Sequence, residues 1–294
     1  MRQKVSSEDW QAAIKPNLKQ HRIKEICQVL QVPRSTYYDQ QNHYISPQAE
    51  HRKTLCQAIK RIYYNHRRVY GAPKILKELK KEGLAASIKL VQRLMRQMEL
   101  KSITLKKWHY QQANNIDEAN YPNLLAQDFS MTAPNQKWCA DITYVHTKAD
   151  GWCYLSSIQD LYSRKIIAHK LSRHMTADLV LDTLKQAFET RKVTDQLIIH
   201  TDLGSQYRST TFEELLRQRH IQHSYSKRGC PYDNSVLESF HASLKKEEVY
   251  QTHYQNFDEA NVALFSYIES FYNNDRIHSA IDYLTPNEKE ELVA

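Results

Sequence analysis

The apolar residues of this chain change their period near residue 130, and that change rules out any fold built from one kind of element. Before it, they recur at spacings of three and four: Ile23, Ile26, Cys27 and Leu30; Leu55, Ile59 and Ile62; Ile75, Leu76 and Leu79; Val91, Leu94, Met95 and Met98. That spacing lines one face of a helix. After it, Lys137–His146 alternates apolar and polar residues and is rich in Trp, Ile, Thr, Tyr and Val. This is the pattern of a half-buried strand. Gly151–Ile158 and Lys165–Leu171 follow at short intervals, so the three strands form an antiparallel meander. Next come an amphipathic helix over Met175–Glu189, a buried strand over Gln196–Thr201, a helix over Ser209–Arg219 and a short strand over Ile221–Tyr225. A strand–helix–strand step of this kind favours parallel pairing with a right-handed crossover. Helices over Asn234–Tyr250 and Asp258–Tyr272 close the chain.

Three antiparallel strands, then helix, strand, helix, strand and helices, are the layout of an α/β ribonuclease H-like domain. The expectation is a mixed five-stranded sheet with flanking helices over residues 131–294. An all-α helix-turn-helix region over residues 1–110 precedes it. Residues 111–130, rich in Asn and Gln, with Asn114-Asn115 and a Tyr121-Pro122 step, read as the linker between them.

The helical region holds two helix-turn-helix candidates. In His21–Tyr38 the step Gln31-Val32-Pro33 breaks the helix, because proline disfavours helix at the residue before it. Arg34 then opens a second helix that could enter a DNA groove. An ordinary helical hairpin, with Tyr37 and Tyr38 in its core, satisfies the same pattern. In the other candidate, Gly71 and Pro73 start one helix, Gly83 ends it, and Ser87 is a candidate N-cap for the next. Lys89, Arg93 and Arg96 lie on the polar side of that last helix, where they can neutralise phosphates without reading sequence.

Charge follows the same division. Residues 1–130 carry 23 Lys and Arg against 11 Asp and Glu, while residues 131–294 carry 18 against 22. A basic front half suits nucleic-acid contact, although a merely solvated basic face has the same count. No apolar run is long enough to span a membrane, and the start lacks the apolar stretch of a signal peptide. The expected location is the cytoplasm of a cell without a nucleus. The five cysteines are scattered and contain no Cys-x-x-Cys pair, so reduced thiols are expected rather than a disulfide framework or zinc site.

Three carboxylates carry the candidate chemistry. Asp141 lies in Trp138-Cys139-Ala140-Asp141-Ile142-Thr143-Tyr144 on the first strand. Asp202 lies in His200-Thr201-Asp202-Leu203-Gly204-Ser205-Gln206-Tyr207 at the end of the fourth. Glu238 lies in Pro231-Tyr232-Asp233-Asn234-Ser235-Val236-Leu237-Glu238-Ser239-Phe240 on a helix. Sixty residues separate the first pair and 35 the second. Singly, each fits a paired strand residue, a loop cap or a solvated helix residue. Converged, they can hold two divalent cations for in-line attack at phosphate. His200 reads as a packed neighbour rather than a ligand.

The chain resembles the OrfB product of insertion-sequence transposases of the IS-three group, relatives of retroviral integrases. The resemblance spans nearly the whole chain. It rests on Val32–Tyr38, Val69–Ile75, the three carboxylate frames, Leu244-Lys245, and Arg276-Ile277-His278-Ser279-Ala280 with Tyr283-Leu284-Thr285-Pro286. It implies a DDE-type transposase that cleaves and joins DNA at the ends of an insertion sequence. Asp141, Asp202 and Glu238 would be the catalytic and metal-binding triad, holding two Mg²⁺, with Mn²⁺ accepted. Lys245, seven residues after Glu238, and Asn234, one turn before it, match positions expected near DNA; Arg34, Arg93 and Arg96 are further DNA-contact candidates. The resemblance also implies terminal inverted repeats and target DNA as partners, a homo-oligomer on DNA, and the upstream OrfA product. A regulatory subunit of a frameshift-fused transposase, inactive on its own, is the alternative. Leu203, Leu237 and Ala72-Pro73-Lys74 depart from common family residues without touching the triad.

Overall fold

The computed structural model describes residues 21–41, 46–104, 121–193, 196–227 and 230–293. Asn114-Asn115 and most of the expected linker lie outside the described residues. Contacts divide the chain into Met1–Gln57 and Ala58–Ala294.

In the first unit, α1 (Ile23–Val29) and α2 (Arg34–Gln41) form a helix-turn-helix around Ile26, Cys27 and Tyr37, with Ile23, Leu30 and Val32 packed against them. Gln31 adopts φ 55°, and the Val32 N–H bonds the Cys27 carbonyl at 2.9 Å. This closes α1 in the manner of a Schellman cap, with glutamine where glycine is usual. Tyr37 is buried and Tyr38 is exposed, so only one of the two rings expected in a hairpin core is there. Helix α3 (Pro47–Asn65) begins in this unit and ends in the next.

In the second unit, α4 (Ala72–Lys81) starts at Gly71 and ends as Gly83 takes φ 75°. Helix α5 (Ile88–Gln97) is capped by Ser87, whose Oγ accepts the Leu90 N–H at 3.2 Å. Residues Val91, Leu94 and Met95 face inward, while Arg93 and Arg96 face out. Tyr70, fully buried, ties this helical segment to the C-terminal region. Its hydroxyl donates to the Asp275 carbonyl at 2.7 Å and accepts the Ile277 N–H at 3.0 Å.

Five strands form one mixed sheet: β1 (Lys137–Thr147), β2 (Gly151–Asp160), β3 (Ile166–Ser172), β4 (Ile198–Thr201) and β5 (Gln222–Tyr225), in the order β3-β2-β1-β4-β5. The meander β1–β2–β3 is antiparallel; β4 and β5 add in parallel through α6 (Ala177–Thr190) and α7 (Thr210–Gln218). Alternation along β1 decides what each face carries. Trp138 and Ala140 join Val180, Leu184, Phe212 and Leu216 in the core under α6 and α7. Asp141, one residue out of phase, turns to the other face, toward α8 (Ser235–Leu244).

The last two helices are not α-helical throughout, as the sequence suggests they should be. Helix α8 continues as a π turn over Lys245–Val249, and α9 (Phe257–Phe265) as another over Ser266–Tyr272. Each wide turn adds a residue to the turn and so turns an extra side chain inward. In the first, that residue is Glu247, buried and gripped by Arg276 through Nε at 2.9 Å and a second nitrogen at 2.8 Å. A short helix, α10 (Pro286–Glu291), closes the chain on a capping box made by Thr285 and Glu288. Residues 121–128, which fall within the expected linker, lie against the sheet domain: Leu125 is buried, and the Pro122 carbonyl accepts the Tyr225 N–H.

Candidate active site

Strand register brings the first two carboxylates together. In the parallel pair, Lys137 aligns with Ile198, Trp138 with Ile199 and Cys139 with His200. The same register carried two residues on sets Asp202 beside Asp141, about one interstrand spacing of ~5 Å away. Glu238 enters from α8, which packs on β1. One turn further along α8, His241 Nδ1 lies 3.5 Å from Asp141 Oδ2.

Electrostatics report the convergence. The Asp202 carboxyl is pushed up to about 6, first by desolvation in the cleft and then by the Asp141 charge. Asp202 is nevertheless exposed to solvent, which screens much of that push. The Glu238 carboxyl is also raised, by partial desolvation and again by Asp141. Lys245 feels Asp141 with the opposite sign: desolvation lowers its ammonium pKa and the carboxylate partly restores it. Asp141 is thus the hub of four charged groups that the sequence spreads over more than a hundred residues.

Local structure holds these groups in place. Asp141 Oδ1 accepts the Ile142 N–H at 2.7 Å, and Asp202 Oδ1 accepts the Gly204 N–H at 2.9 Å. The expectation that Gly204 serves a tight turn has a more specific cause here. A Cβ at that position would lie 2.8 Å from Asp202 Oδ1, so a side chain would displace the carboxylate. His200 is fully buried between Ser224 Oγ and Ser226 Oγ, each at 2.8 Å, and desolvation lowers its pKa to about 4. It is a neutral packed histidine that locks β4 to β5.

The other anticipated residues spread out. Lys245 is half-buried beside the cleft. Asn234 ends a short 3₁₀ turn over Pro231–Asn234 and is buried, its Oδ1 without a hydrogen-bond partner. Arg34 is exposed at the start of α2 in the first unit. Arg93 and Arg96 are exposed on α5, and their side chains make no hydrogen bond or ion pair with a described residue.

Two residues escaped the sequence reading. Asp233, buried inside the Pro-Tyr-Asp-Asn frame, accepts from Asn123 Nδ2, Gln127 Nε2 and the Lys227 N–H, all at 2.8 Å. It fixes the approach to α8, and only its place in the frame hinted at a role. His241 carried no signal, since a histidine on a helix face is usually packing. Its Nε2 is buried without a partner, while Nδ1 faces Asp141.

Among the described residues, no three His, Cys, Asp or Glu side chains are drawn close enough to hold a metal ion as they stand. The donor set is nevertheless suitable. Three carboxylates whose charges oppose one another, with no histidine or thiolate among them, suit a hard, oxygen-seeking cation. All five cysteines are free, and no described helix is long and apolar enough to cross a membrane.

Comparison with known proteins identifies the family of the chain. The family described as Integrase core domain matches residues 131–231, and a second model of that description matches 219–286. An HTH-like domain matches residues 50–108. The transposase for insertion sequence element IS904 of Lactococcus lactis is 39% identical over 84% of this chain and 97% of its own. The transposase InsF for insertion sequence IS3A of Escherichia coli is 36% identical over 91% and 93%. The solved HTLV-2 integrase catalytic core domain in complex with magnesium is 18% identical over 55% of this chain and 99% of its own, with a TM-score of 0.42. The chain belongs to the IS3 family of insertion-sequence transposases, DDE-type polynucleotidyl transferases with an integrase core and a helix-turn-helix region.

Proposed function

We propose that this chain cleaves DNA at the ends of its insertion sequence and transfers the freed strands, using Asp141, Asp202 and Glu238. The observation that carries this reading is the β1–β4 register, whose last pair, Cys139 with His200, leads both chains on to Asp141 and Asp202 beneath the helix that bears Glu238, with the Asp141 charge felt at both other carboxyls. The three carboxylates would hold two Mg²⁺. When bound, these supply activation of the attacking oxygen and stabilisation of the leaving one. The chain's own residues do the rest. Backbone N–H groups of Ile142 and Gly204 hold one oxygen of Asp141 and of Asp202; the second oxygen of Asp202 is left to bind, while Asp141 Oδ2 faces His241 Nδ1 at 3.5 Å. The neutral His200 fixes the strand end that carries Asp202. Lys245, beside Asp141, supplies a cation to the phosphate backbone near the reacting end. Arg93 and Arg96 on α5, and Arg34 on α2, would hold DNA through its phosphates. Joining two ends requires at least two copies on DNA, and the chain would act at the nucleoid.

The test is strand transfer by the purified chain with Mg²⁺ on DNA carrying the repeats that flank its own gene, with Glu238→Gln in parallel. Joined ends from the wild type alone support the reading. Repeat binding without product from the wild type makes the chain a subunit that depends on the upstream product. Equal product from both proteins excludes this triad.

A further inference from the structure

Two motifs take no part in this chemistry: Gly71-Ala72-Pro73-Lys74 and Arg276-Ile277-His278-Ser279-Ala280. The fold brings them to one cavity of about 190 Å³, walled by Lys74, Arg164 and Arg276 together with Ser239, Ser243 and Ser279. Ser239 and Ser243 stand on α8, the helix that carries Glu238. A wider hollow of about 510 Å³ shares Lys74, Ser239, Ser243, Arg276 and Ser279 with it and opens it to the surface.

The charges here do not balance. Arg276 has a carboxylate partner, Glu247. Lys74 and Arg164 have none among the described residues; Lys74 Nζ lies 5.0 Å from the Tyr70 ring centre instead. Arg164 Nε is buried with no hydrogen-bond partner. Desolvation, and then the nearby Arg276, pulls the Lys74 ammonium down to about 7, with the Glu247 carboxylate, already engaged by Arg276, opposing them only in part. Burial also lowers Arg164. His278 is held neutral by burial and these same cations. Lys74 and Arg164 are half-buried, and cations drawn out of water without a carboxylate in contact are costly unless something compensates them. The three hydroxyls supply further donors, so the missing partner is a compact oxyanion with several acceptor oxygens.

We propose that this cavity binds a phosphate group, with Lys74 and Arg164 as its charge partners and Ser239, Ser243 and Ser279 as hydrogen-bond donors. The group is either a backbone phosphate of bound DNA or a free phosphate. Occupancy would clamp α8 against the helical segment that carries Lys74, and so act on the element bearing Glu238. The site does not depend on the carboxylate chemistry.

Thermal unfolding of the full chain in inorganic phosphate, against sodium chloride of equal ionic strength, tests this. At phosphate a hundredfold above its dissociation constant, the wild-type Tm should rise on the order of 5 °C above the chloride control. Lys74→Met and Arg164→Met should lose that rise and, by relieving repulsion, gain Tm in chloride. Asp202→Asn should keep the full response, which separates this site from the proposed active site. Should either methionine variant fail to fold, Ser279→Ala should weaken the apparent phosphate affinity severalfold. Adding repeat-end duplex identifies the source: a phosphate response abolished by DNA assigns the site to a backbone phosphate, and an additive one to a free phosphate. A wild-type response no larger in phosphate than in chloride would overturn the proposal. So would variants that lose Tm in chloride yet respond to phosphate as the wild type does.

Discussion

Two sites of opposite sign share helix α8. On one side Glu238 joins Asp141 and Asp202; on the other Ser239 and Ser243 meet Lys74, Arg164 and Arg276. In both, desolvation moves the groups toward their neutral forms. Asp202 and Glu238 are raised, while Lys74 and Arg164 are lowered. The Glu247–Arg276 pair is buried more deeply than the groups of either site, and it is matched: Arg276 binds both carboxylate oxygens, and the Tyr267 hydroxyl donates to one at 2.7 Å. On the proposals above, the contrast separates charge that serves the fold from charge that a ligand would complete. A structural buried ion brings its own counter-ion and hydrogen bonds; a binding site leaves them to be supplied.

The largest effect that can break this contrast is at the acidic site. Asp202→Asn removes a proposed metal donor worth several kcal/mol in the transition state, so strand cleavage should fall by on the order of a thousandfold or more. Repeat binding, read by gel shift, should persist. Undiminished cleavage would show that the raised carboxylates are not the reacting site.

The matched pair should respond through folding. Glu247→Ala leaves Arg276 buried without its partner and should cost about 3–5 kcal/mol, read as a lowered urea midpoint. A change within ~0.5 kcal/mol, the range typical of surface substitutions, would place that pair with exposed charge.

A pH series sharpens the difference further. The Asp202 carboxyl is raised in the folded state, so below its ordinary pKa the folded chain gains from its protonation. That gain is lost as pH rises from about 4 to about 6. Stability should therefore fall across this window, and Asp202→Asn should flatten the slope. Mg²⁺ should raise Tm above the window more than within it, because it needs the ionised carboxylates.

The smallest effect belongs to neither site. Ser87→Ala removes the N-cap of α5 and should cost about 1 kcal/mol, with cleavage by the folded protein unchanged. A large loss of activity would tie that helix to the chemistry more closely than its exposed arginines suggest.

Much of the acidic site was legible because it is periodic and local. Alternation places Asp141 on a strand, the apolar run Leu197-Ile198-Ile199 ends just before Asp202, and the 35-residue spacing matches a family pattern. The cationic cavity was not legible. Lys74, Arg164 and Arg276 are separated by about ninety and more than a hundred residues, on unrelated elements, and Arg164 sits in a tight turn with φ 65°. The π turn that turns Glu247 inward has no local signature either. It forms where the Arg276 guanidinium stands ready to receive a carboxylate. The His241–Asp141 approach was hidden for the same reason, since only the packing of α8 on β1 aims that imidazole.

The sequence by itself determined the order of the five strands and of the helices up to Tyr272, the alternation that sets Asp141 on β1, and caps such as Ser87 and Gly83. Those follow from interactions within a few residues: side-chain period, proline geometry and backbone hydrogen bonds. Only the tertiary structure decided which charges are paired and which are left open. That depends on desolvation and on contacts between distant segments, and neither is present until the chain has packed.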